Sequence, residues 1–149
     1  MSEEITQSLS DLISFYNQNS HKTWTDWLKF DGLVGKPGKQ GIVGLLKPTS
    51  KDLPPMVFKI SQYINYLVQH EYTIMKGLNE LGPYCPHFCK AIGTILCETA
   101  PKCTDKNANP FVNTSKCHSI EKEVLLLEYL NNSYKLYNYI RSDKISDDL

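Results

Sequence analysis

Met56-Val57-Phe58-Lys59-Ile60 is a short apolar run with one charge embedded in it. Two prolines, Pro54 and Pro55, stand before it, so the run reads as a strand that starts where the prolines stop. A lysine among such neighbours must meet a counter-charge, or lose on the order of several kcal/mol to desolvation. The fold therefore has to bring something anionic to Lys59. The one escape is an edge strand from which the side chain snorkels to water.

The rest of the chain supplies elements to place around that strand. Ile5, Leu9, Leu12, Ile13 and Tyr16 recur at helical spacing over residues 3–17, and Asn17 to Lys22 is a polar stop. Trp24 and Trp27 lie three apart in a segment short enough for one helical turn, and serve to dock the first helix on the segment after them. From Phe30 the pattern is strand, glycine-rich turn, strand: Leu33-Val34, then Gly35-Lys-Pro-Gly38-Lys-Gln-Gly41, then Ile42 to Leu46. Lys47 to Pro55 reads as a loop.

After the lysine strand, residues 63–81 carry Ile64, Leu67, Glu71, Ile74, Met75, Leu78 and Leu81 at helical spacing, and Gly82-Pro83 ends the helix. Ala91 to Ile95 is a further strand. Residues 97–119 are polar, with two prolines and three cysteines, and read as an exposed insertion. Val124-Leu125-Leu126-Leu127 is the most apolar stretch and reads as a central strand. Glu128 to Asn132 leaves it as a connector, and a last helix starts near Ser133 using Leu136, Tyr137 and Ile140. The fold class is α+β.

Composition bounds what such a fold can do. The 149 residues make about one domain, and 41% apolar with 21% charged residues can bury a modest core. Sixteen basic and sixteen acidic residues cancel, with Arg141 the only arginine, so a general nucleic-acid binder is not expected. Five cysteines, an odd number, and the opening Met1-Ser2-Glu3-Glu4 fit reduced thiols and a cytoplasmic location. The aliphatic run at Val124 is far below the roughly 20 residues of a membrane span. A Lys- and Asn-rich, alanine-poor chain fits an A/T-rich genome such as that of a large DNA virus of invertebrates; host-cell cytoplasm or virion would then be its place.

Taken in order, Gly38-Lys-Gln-Gly41-Ile-Val43, Val57-Phe58-Lys59, Glu71 to Leu78 and Leu127-Glu128-Tyr129-Leu130 resemble the N-terminal, ATP-binding lobe of the protein kinase family. The resemblance spans roughly residues 30–141. It implies an antiparallel five-stranded sheet with a principal helix over residues 29–149, preceded by a helical extension at 1–28 and followed by a helix after the hinge. Lys59 and Glu71 would form the catalytic ion pair. Gly35, Gly38 and Gly41 would cradle phosphates, although the family's Gly-x-Gly-x-x-Gly is here spaced three and three with Lys36 in the first glycine's place. Val43 and Val57 would roof the adenine, Leu127 would gate the pocket, and backbone groups of Glu128 and Leu130 would face the base.

The implied function is that of an ATP-binding lobe of a Ser/Thr-type kinase, catalytically incomplete by itself. His-Arg-Asp, Asp-Phe-Gly and Ala-Pro-Glu do not occur in these 149 residues. ATP is the implied cofactor, with Mg²⁺ only where a C-terminal lobe supplies its ligands. The alternative is a free-standing, pseudokinase-like mimic of the small lobe that binds another kinase or its substrate. Cys85-Pro-His87-Phe-Cys89 with Cys117-His118 offers zinc-type ligands, but Cys-x3-Cys with distant partners lacks the usual paired spacing, and no metal is assigned.

Overall fold

The computed structural model describes residues 1–19, 23–39, 41–61, 65–85, 87–100, 109–111, 120–131, 138 and 140–141. Two helices and five strands succeed one another as α1 (Glu3–Gln18), β1 (Leu28–Leu33), β2 (Gly41–Pro48), β3 (Met56–Ser61), α2 (Asn65–Asn79), β4 (Ala91–Thr99) and β5 (Ile120–Glu128). A 3₁₀ turn at Trp24–Asp26 joins α1 to the sheet. The strands form one antiparallel open sheet in the order β1-β2-β3-β5-β4. The lysine strand β3 is its centre, so the snorkelling edge strand is excluded.

Period-two alternation sorts β3 onto two faces. Met56, Phe58 and Ile60 are fully buried on the face that α1 covers, together with Leu9 and Ile13 from the helix, Leu28, Ile42 and Leu46 from the first hairpin, and Val124 and Leu126 from β5. Ser2 starts α1 by accepting the Ile5 N–H on its Oγ at 3.3 Å, and Glu3 and Glu4 place negative charge at the positive end of the helix dipole. The helix then crosses β4 at very short range. A Cβ on Gly93 would stand 3.1 Å from two carbons of Ile13, so a side chain here would press on the helix.

Trp27 stacks on Tyr16 with ring centroids 5.6 Å apart, which docks α1 as the spacing of the tryptophans predicts. Trp24 packs instead on Phe111 at 4.7 Å, and Phe111 reaches Phe58 at 5.0 Å. Part of the segment expected as an exposed insertion therefore returns to the core. Two boundaries also move. The strand β4 runs on through Cys97, Glu98 and Thr99, where the polar texture suggested that the insertion had begun. Its register against β5, with Thr99 opposite Ile120, lets alternate residues stay buried while the others meet water. Similarly β2 continues to Pro48, which pairs with Leu28 at the strand end, where its missing N–H is tolerated.

The second face of the sheet carries Val57, Lys59 and Leu125, and α2 lies across β3, β4 and β5 on that side. Asn79, the last residue of α2, fixes the helix to the sheet by donating to the Ala91 carbonyl at 2.7 Å and accepting the Ala91 N–H at 3.1 Å. The inner stripe of α2 is Val68, Tyr72, Met75 and Asn79, at 3.6-residue recurrence. Leu67 and Ile74, expected on the face of Glu71, are instead about half exposed, at 49% and 52%. Glu71 stands at the margin of the buried stripe, where a carboxylate keeps partial hydration. Of the expected helix after the connector, Asn138 and Ile140 have helical backbone, and Ser133 to Tyr137 lie outside the described residues.

Candidate functional site

The site is built on the central strand. Antiparallel pairing sets Lys59 directly between Val43 of β2 and Leu125 of β5, so its stem runs over apolar neighbours on the α2 face. Glu71 comes down from α2 to meet it. The ammonium donates to both carboxylate oxygens, Oε1 and Oε2, at 2.8 Å each. Both side chains keep about a third of their surface, 34% and 36%, so the pair is screened from bulk water and not sealed from it. The counter-charge that the sequence requires for Lys59 is thus Glu71.

Above this pair the β1–β2 hairpin makes a flap. Val34 N–H donates to the Val43 carbonyl at 2.8 Å and Gly38 N–H to the Gly41 carbonyl at 3.0 Å, which closes the turn in two steps. Gly35 has φ +77°, a left-handed conformation that a side chain would strain. Gly41 is needed for closeness. A Cβ there would collide with the Ile60 carbonyl oxygen across the β2–β3 pair. Beneath the flap lies an open cleft of about 390 Å³ lined by Val34, Lys36, Gly38, Lys39, Gly41, Val43 and Lys59.

Of the residues singled out in the sequence, Gly38, Gly41, Val43 and Lys59 line this cleft, with Glu71 bound to Lys59. Gly35 shapes the turn without lining it. Val57 pairs with Leu127 further along β3 and β5. Glu128 is buried at 6% exposure, and its carboxylate is bound: Oε1 accepts the Lys90 N–H at 2.9 Å and Oε2 pairs with the Met1 ammonium at 3.6 Å. The Glu128 carbonyl accepts from Cys89 Sγ at 3.6 Å. Leu130 is half exposed, and Ser133 and Tyr134, which occupy the region of a sugar contact, fall outside the described residues.

Two lysines of the lining, Lys36 and Lys39, went unassigned in the sequence. Their signal was present, since both sit between the glycines, but a lysine in a turn ordinarily reads as a solvated tip. A buried lysine was missed as well: Lys122, at 3% exposure, donates to the Ser61 carbonyl at 2.9 Å.

A larger groove of about 830 Å³ lies elsewhere, between the start of α1, the loop Pro48 to Pro55 and Tyr129. Asp52 is the one acid of its lining, against Lys29, Lys47 and Lys51. Volume alone does not make it the chemical site. Among the described residues no group of three or more His, Cys, Asp or Glu side chains is arranged to hold a metal, and Cys103, Cys117 and His118 lie outside them. Cys85, Cys89 and Cys97 are free thiols. Burial, and next the Glu128 carboxylate, raise the Cys89 thiol above its ordinary 9.0, so that thiol is no activated nucleophile. No described helix is long and apolar enough to cross a membrane.

The chain is similar to Uncharacterized protein 038R of Invertebrate iridescent virus 3, with 26% identity over 146 residues, covering 76% of this chain and 26% of that protein. It thus spans about a quarter of the length of the curated relative it matches. The likeness to an invertebrate-virus protein runs with the expectation from composition. No protein-family model and no solved structure matches the chain.

Proposed function

We propose that the chain is an ATP-binding small lobe of protein-kinase type, holding the nucleotide between the β1–β2 flap and Lys59. The observation that carries this reading is the two-oxygen pair of Lys59 with Glu71, set on the central strand beneath a glycine hairpin. An ammonium held this way is fixed in position, yet it keeps donor capacity toward the cleft. Backbone amides of a glycine turn can approach phosphate oxygens without side chains between them. Val43, on the same face as Lys59, would cover the base. Among the described residues no set of side chains is arranged to hold a metal, and transfer of a phosphoryl group needs metal ligands and a positioned carboxylate, so the proposal is confined to binding.

The test is thermal. A ligand that binds only the folded chain stabilises it by about 2.7 kcal/mol when present at roughly 100 times its Kd. ATP should raise the melting temperature, and Lys59→Met should remove that rise while the chain stays folded. No shift with millimolar ATP or adenosine would end the nucleotide reading.

A second reading has its own support. Leu67 and Ile74 on the outer face of α2, and Tyr129 and Leu130 beyond β5, expose apolar surface. A small-lobe mimic that docks on another kinase would cover such surface. Light scattering of the chain mixed with purified kinases distinguishes the two: a complex that forms equally well with Lys59→Met favours the mimic.

A further inference from the structure

The family that the chain resembles presents its nucleotide as a magnesium complex, so the cleft can be asked whether it fits that ion. Magnesium prefers oxygen ligands, commonly one or two carboxylates along with the phosphates of the substrate. Among the described residues of this chain, which by the resemblance would look to another lobe for such ligands, the cleft lining offers none. The nearest acid with a described role, Glu71, has both oxygens on Lys59. In place of acids the lining brings three lysines, Lys36 and Lys39 from the flap and Lys59 from its floor. The donor set does not fit a divalent cation. It fits the bare polyanion that the cation would otherwise neutralise.

We propose that Lys36 and Lys39 stand in for a divalent metal at the polyphosphate, so that this cleft takes free ATP in preference to its magnesium complex. The inference rests on the nucleotide reading above. Its physical basis is charge arithmetic: the free triphosphate is more negative than its magnesium complex, and each lysine gains more from the former. The flap makes the gain conditional on geometry. Lys36 follows Gly35, whose left-handed turn orients the tip, and Lys39 follows Gly38, whose N–H closes the hairpin on Gly41. Both lysines are exposed without ligand, so they approach the phosphates with little desolvation cost.

The experiment is calorimetric titration of the full chain with ATP, in EDTA and in excess Mg²⁺, at matched ionic strength because exposed charges are screened by salt. The native chain should bind several times more tightly in EDTA. Lys36→Ala with Lys39→Ala should weaken binding in EDTA by roughly tenfold and erase the preference. The matching pair of arginine substitutions should keep it. Tighter or equal binding in Mg²⁺ overturns the proposal and leaves the nucleotide reading standing, as does an alanine double variant that binds like the native chain in EDTA. Binding in neither buffer overturns the nucleotide reading and this proposal with it.

Discussion

Lys59 is the residue on which the reading turns, and its energetics separate structure from function. With both partners about a third exposed, the pair with Glu71 contributes about 1 kcal/mol or less to folding. Lys59→Met and Glu71→Gln should therefore lower stability only slightly in urea denaturation, while either one removes the ATP-dependent melting shift. A large loss of stability in Lys59→Met would instead make the lysine a structural ion. Cys97 behaves in the opposite manner. It is no part of the cleft, yet burial, and next the Glu121 carboxylate, push its thiol from 9.0 up to about 12. Below pH 9.0 both folded and unfolded chains hold the proton, and the full stability is present. Between 9.0 and about 12 the unfolded chain gives up the proton that the folded chain keeps, so stability falls as pH rises through that window. Urea denaturation across that range should show the native chain losing its advantage over Cys97→Ala. A pH-independent difference between the two would refute the assignment.

At the scale of elements, the contact of α1 with β4 is the most sharply defined. With a Cβ only 3.1 Å from Ile13, Gly93→Val should overpack the contact and cost about 1–3 kcal/mol, and Ile13→Ala should recover part of that loss. Independent, additive effects in the double variant would mean that the helix and strand do not meet as described. This contact also shows what the sequence does and does not declare. The helical spacing of Leu9 and Ile13 identified α1 and its buried face, and the apolar runs identified β3 and the core of β5. The glycine at position 93 gave no sign that a helix would lie over it, because its reason is a neighbour 80 residues away. The ends of β4 were hidden for a related cause. Cys97, Thr99 and Lys122 look polar in a linear reading, and only the cross-strand register turns alternate members inward. The rotation of α2 was equally out of reach, since Leu67 and Val68 are both apolar and only the sheet decides between them. For the cleft, Lys59 with Glu71 was legible because a charge set in an apolar strand demands a partner, whereas Lys36 and Lys39 were not, because an exposed charge demands nothing.

The whole molecule is asymmetric about its sheet, and that asymmetry sets where it can move. One face holds the continuous core, with Leu9, Ile13, Leu46, Met56, Phe58, Ile60, Val124 and Leu126 nearly or fully excluded from water. The other face is covered by α2, in which Val68 is the one fully buried side chain among the described residues. Free energy of local opening follows buried apolar contact, so α2 should detach from the sheet at lower cost than β3 or β5 unpair. Glu71 travels with α2 and Lys59 stays with β3, which makes their ion pair a tie between a looser element and a firmer one. Native-state hydrogen exchange should find the amides of α2 protected less than those of Phe58 to Ile60 and Val124 to Leu126. If the cleft holds nucleotide, ATP should slow exchange in α2 more than in β5, because an anion at Lys59 organises the ammonium that Glu71 grips. Equal protection of α2 and β3 without ligand would show that the second face is as firmly packed as the first, and the coupling of helix position to ligand would then have no soft element to act on.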